Sequence, residues 1–214
     1  MRYLIVCGGK IDKEFGLNEI KTDGIDAIIA ADSGMDFLYE NGVTPDIIVG
    51  DFDSTKTNAL EYFERKGQTE IHRLNPIKDD TDTEYAIRLA IREGARSIVM
   101  LGATGSRIDH VLGNISLLGI GLESGTDISI IDTNNRIRMA DKPVTIEKSA
   151  QYGRFVSLIA LTDDNEVSLK GFKYPVTDYS FDRFTSLGIS NEIVDDHALI
   201  DIHRGKFIII ESKD

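Results

Sequence analysis

The chain has 214 residues, and its 36 Asp and Glu outweigh 24 Lys and Arg, which gives a formal net charge of −12. A hydrophobic fraction of 41% with only 4 Pro predicts a packed globular protein of one large domain or two small ones. The acidic balance excludes nucleic-acid backbones and anionic membrane surfaces as partners, because proteins that bind either of them need a basic surface.

The first half of the chain alternates between predicted strands and predicted helices. Apolar strand segments are expected at residues 2–7, 26–31, 46–49, 69–73, 97–101 and 127–131. Helices are expected at residues 55–66 and 108–122, before Asn41, and from Asp82 to Gly94. Continuous apolar strands separated by helices indicate a parallel sheet that is covered on both faces. Ligands of such sheets bind beyond the carboxyl ends of the strands.

Near Gly125 the pattern changes to short segments in which polar and apolar residues alternate. Residues 199–202 and 207–210 are predicted to form a hairpin around a turn at residues 203–206. The predicted fold is an α/β domain with a mostly parallel, Rossmann-like sheet at residues 1–133, followed by an all-β antiparallel sandwich at residues 134–214. Further strands of that sandwich are predicted at residues 137–140, 144–147, 155–161 and 166–170.

A cytoplasmic location is predicted from the apolar runs and the cysteine count. The stretch before Gly8 and Gly9 is too short for the core of a signal peptide. No run approaches the ~20 apolar residues that span a bilayer. Cys7 has no second cysteine with which to form a disulfide, which is typical of a reducing compartment.

Three groups of carboxylates follow strand-like segments, at the sheet edge where ligands are expected. Asp32 follows the second strand, Asp51 and Asp53 follow the third, and Asp79 and Asp82 lead into a helix. Carboxylates that converge on one sheet edge repel one another unless a cation compensates them. Mg²⁺ takes hard oxygen ligands and is commonly shared between carboxylates and substrate phosphates. The pattern therefore favours a magnesium-dependent site for a polyphosphate.

Some of these acids also have a structural interpretation. Asp32 could equally cap the helix that follows it. Asp82 could be an acidic residue in the first turn of a helix that Asp80 or Thr81 caps. The Asp-Phe-Asp segment after the third strand is harder to explain in this way, because its sharp turn would aim two acids at one point.

A glycine-rich loop, GATGSRIDH at residues 102–110, lies between the fifth strand and the next helix. Glycines let backbone amides approach a phosphate, and the start of a helix adds partial positive charge. We take Gly102, Thr104, Arg107 and Asp109 as nucleotide contacts. Arg107 would grip a phosphate or the adenine face, and Asp109 would bind a ribose hydroxyl or hold Arg107 in place.

Taken together, the motifs resemble those of the thiamin pyrophosphokinase family. They are, in chain order, ADSG at residues 31–34, GDFDS at 50–54, DDTD at 79–82, GATGSRIDH at 102–110, GFKY at 171–174 and SN at 190–191. The resemblance implies transfer of a pyrophosphoryl group from ATP to the hydroxyl of thiamin, which yields thiamin diphosphate and AMP. It also implies Mg²⁺, an N-terminal nucleotide domain, a C-terminal thiamin-binding sandwich, and a homodimer with thiamin bound between subunits.

Residue by residue, the resemblance divides the site into a metal and pyrophosphate centre, a set of nucleotide contacts and a thiamin pocket. The metal and pyrophosphate centre would consist of Asp51, Asp53 and Asp82. The nucleotide contacts would be Asp32, Asp79, Arg107 and Asp109. The thiamin pocket would include Ser190 and Asn191. Arg107 and the acids of the centre are the predicted catalytic groups, with Asp53 or Asp82 accepting the proton. The chain has no Trp to stack on thiamin, and Phe172, Tyr174 or Phe184 could take that place.

Three other functions fit parts of the pattern. The segment that begins at Asp51 resembles the D-x-D-x-T signature of aspartyl-phosphate phosphohydrolases, in which Asp51 would be the nucleophile. That signature normally ends the first strand of its fold, whereas here it follows the third. A pyrophosphokinase for another alcohol, such as a pterin, differs only in the C-terminal part. A nucleotide sensor without chemistry would not need every acid of the proposed centre.

Overall fold

The structure is a computed structural model that describes residues 1–52, 57–75 and 80–214. It divides into two compact units, Met1–Thr133 and Asn134–Asp214. Asp53 and Asp79, which the sequence assigns to the site, lie outside the described residues.

The first unit is a parallel sheet with helices. Its strands are β1 (Arg2–Val6), β2 (Ala27–Ala31), β3 (Ile47–Gly50), β4 (Glu70–Arg73), β5 (Ser97–Leu101) and β6 (Asp127–Ile131). Its helices are α1 (Lys13–Ile20), α2 (Gly34–Glu40), α3 (Ala59–Lys66), α4 (Asp82–Arg92), α5 (Ile108–Leu117) and α6 (Gly119–Ser124). The described strand pairs are parallel, in the order β6-β5-β1-β2-β3-β4. No helix in the described ranges is long and apolar enough to cross a membrane.

The sheet forms because its strands carry apolar side chains toward both faces. Leu4, Ile5 and Val6 of β1 are no more than 1% exposed although neighbouring side chains of a strand point to opposite faces. Burial on both faces requires helices above and below the sheet. This arrangement leaves the ends of the strands as the accessible edges for a ligand.

The beginning of α4 is set by a side-chain cap. Thr81 Oγ1 accepts a hydrogen bond from the backbone N–H of Glu84 at 3.2 Å. Thr81 is therefore the cap, and Asp82 is the first residue of the helix. A carboxylate in this position is stabilised by the partial positive charge of the helix N-terminus.

The second unit is an antiparallel β-sandwich. Its strands are β7 (Asn135–Ala140), β8 (Val144–Glu147), β9 (Phe155–Ala160), β10 (Glu166–Lys170), β11 (Val176–Ser180), β12 (Asn191–Glu192), β13 (His197–Arg204) and β14 (Phe207–Ser212). One sheet has the order β12-β9-β14-β7 and the other β11-β10-β13-β8. Val156 and Phe207 of the first sheet share a core with Val167 and Ile200 of the second. The predicted fold class, a parallel α/β domain followed by an antiparallel sandwich, is confirmed.

The predicted C-terminal hairpin is wrong. β13 pairs with β8 and β10, whereas β14 pairs with β7 and β9, so these consecutive strands lie in different sheets. Between them the chain turns at Gly205, whose φ of +90° suits only glycine. Alternating apolar residues show that a strand has one buried face, but both sheets of a sandwich bury one face. The pattern therefore does not identify the partner of the strand.

Two helices differ from the sequence prediction. The helix expected at residues 108–122 is divided into α5 and α6 at Leu118. The pattern does not indicate α1 at all, because its interior Gly16 lowers helix propensity. That glycine is a packing requirement, since a Cβ there would lie 2.7 Å from Cζ of Phe37.

Candidate active site

Three aspartates meet where β2 and β3 end and α4 begins. One carboxylate oxygen from each of Asp32, Asp51 and Asp82 lies within 4.8 Å of the others, and all three side chains are partly buried. Because β2 and β3 are parallel neighbours, the residues that follow them emerge side by side. The structure thus brings together two acids of the predicted metal centre, Asp51 and Asp82, and adds Asp32, which the sequence assigns to the nucleotide.

The backbone turns sharply at two points to bring these carboxylates together. Asp32 has a φ of +50° and Phe52 a φ of +65°. The left-handed region costs an L-residue about 1–2 kcal/mol, and Asp adopts it more readily than Phe does. The backbone N–H of Asp32 donates to the carbonyl of Val49 at 2.8 Å, which holds the Asp32 turn against the end of β3. The N-cap position of α2 is Ser33, whose side chain makes no capping hydrogen bond.

Gly50 allows the two turns to approach each other. A Cβ on Gly50 would lie 3.2 Å from Cα of Asp32 and 3.1 Å from Cε1 of Phe52. The guanidinium of Arg73 lies over the Phe52 ring, 5.5 Å from its centroid. The Gly-Asp-Phe part of the motif is therefore a tightly constrained turn that directs Asp51 toward Asp32.

The glycine-rich loop after β5 is held by contacts that its sequence does not reveal. Gly102 has a φ of +66°. The Thr104 hydroxyl donates to Asp132 at 2.9 Å, and the Asn114 amide donates to the loop backbone at 2.7 Å. Thr104 therefore uses its side chain to support the loop. Asp132 and Asn114 lie outside the motif, so only the fold could identify them.

Arg107 and Asp109 form a two-point ion pair at the start of α5. Arg107 Nη2 lies 2.6 Å from Asp109 Oδ2, and Nε lies 3.3 Å from Oδ1. The hydrogen bond from Arg107 holds the pKa of Asp109 below its ordinary value, and the same bond raises the pKa of Arg107. The ion pair fits the predicted role in which Asp109 holds Arg107 in place, and the contact with a ribose hydroxyl stays a prediction.

These groups surround a cavity of about 1000 Å³ at the carboxyl ends of the strands. Its lining includes Asp32, Asp51, Asp82, Thr104, Arg107 and Asp109. Small-molecule sites commonly measure ~300–1000 Å³, so the cavity has room for a nucleotide. Cys7 also lines it, but burial raises the pKa of this thiol to about 12. A thiol that stays protonated at neutral pH is not a nucleophile.

The two predicted thiamin residues of the second unit have different environments. Asn191 is 7% exposed, and its side-chain amide accepts from the Tyr174 backbone N–H at 3.1 Å and donates to the Tyr174 carbonyl at 2.9 Å. Ser190 is exposed, with a φ of +61°, and its backbone N–H donates to Ser157 Oγ at 3.0 Å. Asn191 therefore holds the backbone of Tyr174, while Ser190 presents its side chain at the surface.

A parallel α/β unit with an acidic cavity and a glycine-rich loop, followed by a β-sandwich, is an arrangement suited to a nucleotide-dependent transferase. Residues 21–130 match the family described as thiamin pyrophosphokinase, catalytic domain, and residues 143–207 match the thiamin pyrophosphokinase vitamin B1 binding domain. The chain belongs to the thiamin pyrophosphokinase family, which confirms the family that the sequence motifs indicate.

Relatives agree with this assignment over nearly the whole chain. The thiamine pyrophosphokinase of Bacillus subtilis is 34% identical over 188 residues, which is 87% of each protein. A crystal structure of thiamine pyrophosphokinase from the same organism covers 100% of both chains with a TM-score of 0.88 and 30% identity. That of Geobacillus thermodenitrificans thiamin pyrophosphokinase covers 100% of this chain and 98% of its own, with a TM-score of 0.86 and 28% identity.

Proposed function

We propose that this protein transfers the pyrophosphoryl group of ATP to the hydroxyl of thiamin at the carboxylate cluster of the first unit. As a member of the thiamin pyrophosphokinase family it is an enzyme whose substrates are ATP and thiamin. The observation that carries the assignment of the site is the meeting of Asp32, Asp51 and Asp82 at one edge of a nucleotide-sized cavity. The phosphohydrolase, pterin pyrophosphokinase and sensor interpretations are not favoured by the family match.

The donor set of the cluster fits Mg²⁺. Asp32, Asp51 and Asp82 offer carboxylate oxygens within 4.8 Å of one another, and three acids so close together repel unless a cation offsets them. Hard oxygen ligands shared with substrate phosphates are the usual environment of Mg²⁺. When bound there, the ion would offset negative charge on the phosphoryl oxygens and orient the triphosphate. Asp53 is proposed as a further ligand from the sequence alone.

The chemistry requires the chain to orient two substrates and to handle one proton. The hydroxyl oxygen of thiamin forms a bond to the β-phosphorus, and the bond from that phosphorus to the oxygen of AMP breaks. Arg107, oriented by Asp109, is placed to bind phosphoryl oxygens, which carry the developing charge. Asp53 or Asp82 accepts the proton of the hydroxyl. Asp79, Gly102 and Thr104 complete the proposed nucleotide contacts.

The three aromatic residues considered for stacking on thiamin differ in their exposure. Phe172 is 3% exposed and belongs to the sandwich core, so it is not available for stacking. Tyr174 is 61% exposed and Phe184 is 91% exposed. Tyr174 is the residue whose backbone Asn191 fixes through two hydrogen bonds. A fixed backbone leaves less conformational entropy to be lost when the side chain binds a ligand, so we assign the stacking role to Tyr174 and a positioning role to Asn191.

Tyr174→Ala is expected to raise the KM for thiamin about tenfold, because an aromatic stack contributes about 0.5–1.5 kcal/mol, while the KM for ATP stays within twofold. Steady-state kinetics with each substrate varied in turn would measure both values. Phe184→Ala is the matched comparison, since Phe184 is a more exposed aromatic residue of the same unit. A tenfold rise in the Phe184 variant with no change in the Tyr174 variant would contradict the assignment.

We also propose that the protein is a homodimer with thiamin bound between its subunits. Its proposed location is the cytoplasm. Large apolar side chains at the surface of the second unit support an interface: Phe184 is 91%, Leu187 62% and Ile189 48% exposed. Light scattering coupled to size-exclusion chromatography should give about twice the 23.7 kDa mass of one chain. A monomer at concentrations where the enzyme is fully active would contradict this proposal.

The acceptor and the reaction type can be tested in one assay. Purified protein, ATP and Mg²⁺ are incubated with thiamin, with a hydroxymethyl pterin, or with no acceptor, and AMP is measured by chromatography. We expect AMP only with thiamin, in amounts equal to the thiamin diphosphate formed. AMP formation with the pterin alone would indicate the neighbouring kinase activity. Acceptor-independent release of inorganic phosphate would indicate the phosphohydrolase.

A further inference from the structure

Lys10 lies in the lining of the cavity, on a loop that none of the sequence motifs includes. It follows Gly8 and Gly9 directly after β1. The backbone N–H of Gly9 donates to the carbonyl of Gly102 at 2.9 Å. A Cβ on Gly9 would lie 2.3 Å from that oxygen and 2.4 Å from the carbonyl oxygen of Thr104, so only glycine allows this approach. The contact fixes the segment carrying Lys10 against the glycine-rich loop.

The same segment also contacts the turn that carries the first aspartate of the cluster. A Cβ on Gly8 would lie 2.1 Å from Oγ of Ser33, the residue after Asp32. The segment from Gly8 to Lys10 is therefore in contact with both the glycine-rich loop and the Asp32 turn. A triphosphate that extends from one to the other would pass beside Lys10.

Lys10 differs from the other charged groups of the cavity lining in its ion pairing. The lining carries the acids Asp32, Asp51 and Asp82. Among the described residues of the lining, Arg107 is the other lysine or arginine, and it is paired with Asp109 at 2.6 Å. Within the described part of the chain, Lys10 forms no ion pair. The positive charge of the Lys10 ammonium is therefore not compensated by a carboxylate of the described residues.

An exposed lysine is well suited to a mobile anionic ligand. Its ammonium is a compact charge with three donors on a flexible stem, and it binds phosphate as a point charge. Because Lys10 is exposed before binding, it does not carry the desolvation penalty of a buried charge. It would offset part of the repulsion between the triphosphate and the three carboxylates.

We propose that Lys10 binds the β,γ-pyrophosphoryl part of ATP and holds it between the glycine-rich loop and the carboxylate cluster. The proposal rests on the proposed function, which places ATP in this cavity. It assigns Lys10 to the group that is transferred rather than to the AMP that leaves. Binding of AMP should therefore be independent of this residue.

The test compares Lys10→Met with Lys10→Arg and with the matched control Lys13→Met. Lys13 is an exposed lysine three residues further on, at the start of α1, and it does not line the cavity. For Lys10→Met we expect the KM for ATP to rise about tenfold and kcat to fall, with the KM for thiamin unchanged. Isothermal titration should show ATP binding about tenfold weaker and AMP binding within twofold of wild type. Lys10→Arg should retain most of the ATP affinity, and Lys13→Met all of it.

Two results would overturn the proposal. ATP binding and turnover within twofold of wild type in Lys10→Met would show that the ammonium does not contact the phosphates. Equal weakening of ATP and AMP binding would place the contact at the α-phosphate or the nucleoside. The nucleotide titrations do not depend on thiamin chemistry, so they test Lys10 even if wild type forms no AMP with thiamin, a result that would instead overturn the proposed function. Thermal unfolding of each variant checks that the fold is retained.

Discussion

Replacing Asp51 by Asn is expected to lower kcat for thiamin diphosphate formation by about 10³-fold while the protein stays folded. The substitution keeps the shape of the side chain and removes one of three negative charges that lie within 4.8 Å of one another. Because these charges repel when no cation is present, the metal-free variant should unfold at the same temperature as wild type or higher. The rise in Tm that Mg²⁺ produces in wild type should be lost.

Asp32→Asn is expected to have the same effects as Asp51→Asn. This result would distinguish a role of Asp32 in the metal centre from a role in nucleotide binding. The sequence assigns Asp32 to the nucleotide, whereas the structure places its carboxylate in the cluster with Asp51 and Asp82. Asp127→Asn is the matched control, because Asp127 is an exposed aspartate at the beginning of β6. Near-normal turnover of either cluster variant would contradict the metal-centre assignment, as would loss of activity in the control.

Replacing Glu211 by Leu should have the largest effect on stability, a loss of about 3–5 kcal/mol. The carboxylate of Glu211 is fully buried, and it is bound by Arg136 at 2.7 and 2.8 Å and by Arg138 at 2.9 Å. The backbone N–H of Tyr152 also donates to it at 2.9 Å. The strand register causes this arrangement, because Glu211 on β14 lies directly opposite Arg136 on β7. Removing the carboxylate takes away the acceptor that these two guanidinium groups share, and each of them is only about a quarter exposed.

Urea or thermal unfolding of the second unit would measure this loss. The control is Asp163→Asn in the same unit, which breaks an ion pair with Arg183; the Asp163 side chain is 92% exposed and that of Arg183 is 49% exposed. Exposed pairs of this kind contribute about 0.2–1 kcal/mol, so the control should be nearly neutral. A Glu211 variant as stable as the control would show that the buried cluster does not stabilise the sandwich.

The sequence predicts a site residue well when the type of residue and its position in the fold indicate the same role. Asp51 follows an apolar strand and a glycine, and its location at the end of a parallel sheet follows from the fold class alone. The role of Asp32 is harder to predict, because its approach to Asp51 depends on a left-handed turn and on the lack of a side chain at Gly50. Lys10 has no motif of its own, and its place in the cavity depends on the contacts of Gly8 and Gly9 with more distant parts of the chain.

In the fold, too, the position of a strand is easier to predict from the sequence than its partner in the sheet. The apolar strands of the first unit are predictable because a parallel sheet buries both faces of each strand. The partners of β13 and β14 are not, since either sheet of a sandwich could accept them. Asn191 illustrates the point for a single residue: its position in a motif suggests a ligand contact, whereas its amide holds the backbone of Tyr174.

In the proposed mechanism, the carboxylate cluster directs transfer of an intact pyrophosphoryl group from ATP to thiamin. This transfer can be followed with ATP labelled at the β-phosphorus, by chromatography of the products of wild type and of Asp32→Asn. Wild type should place all transferred label in thiamin diphosphate and leave AMP unlabelled, while the variant should transfer about a thousandth as much in the same time. Label that stays in ADP, while unlabelled thiamin monophosphate or unlabelled inorganic phosphate is formed, would instead indicate transfer or hydrolysis of the γ-phosphoryl group alone.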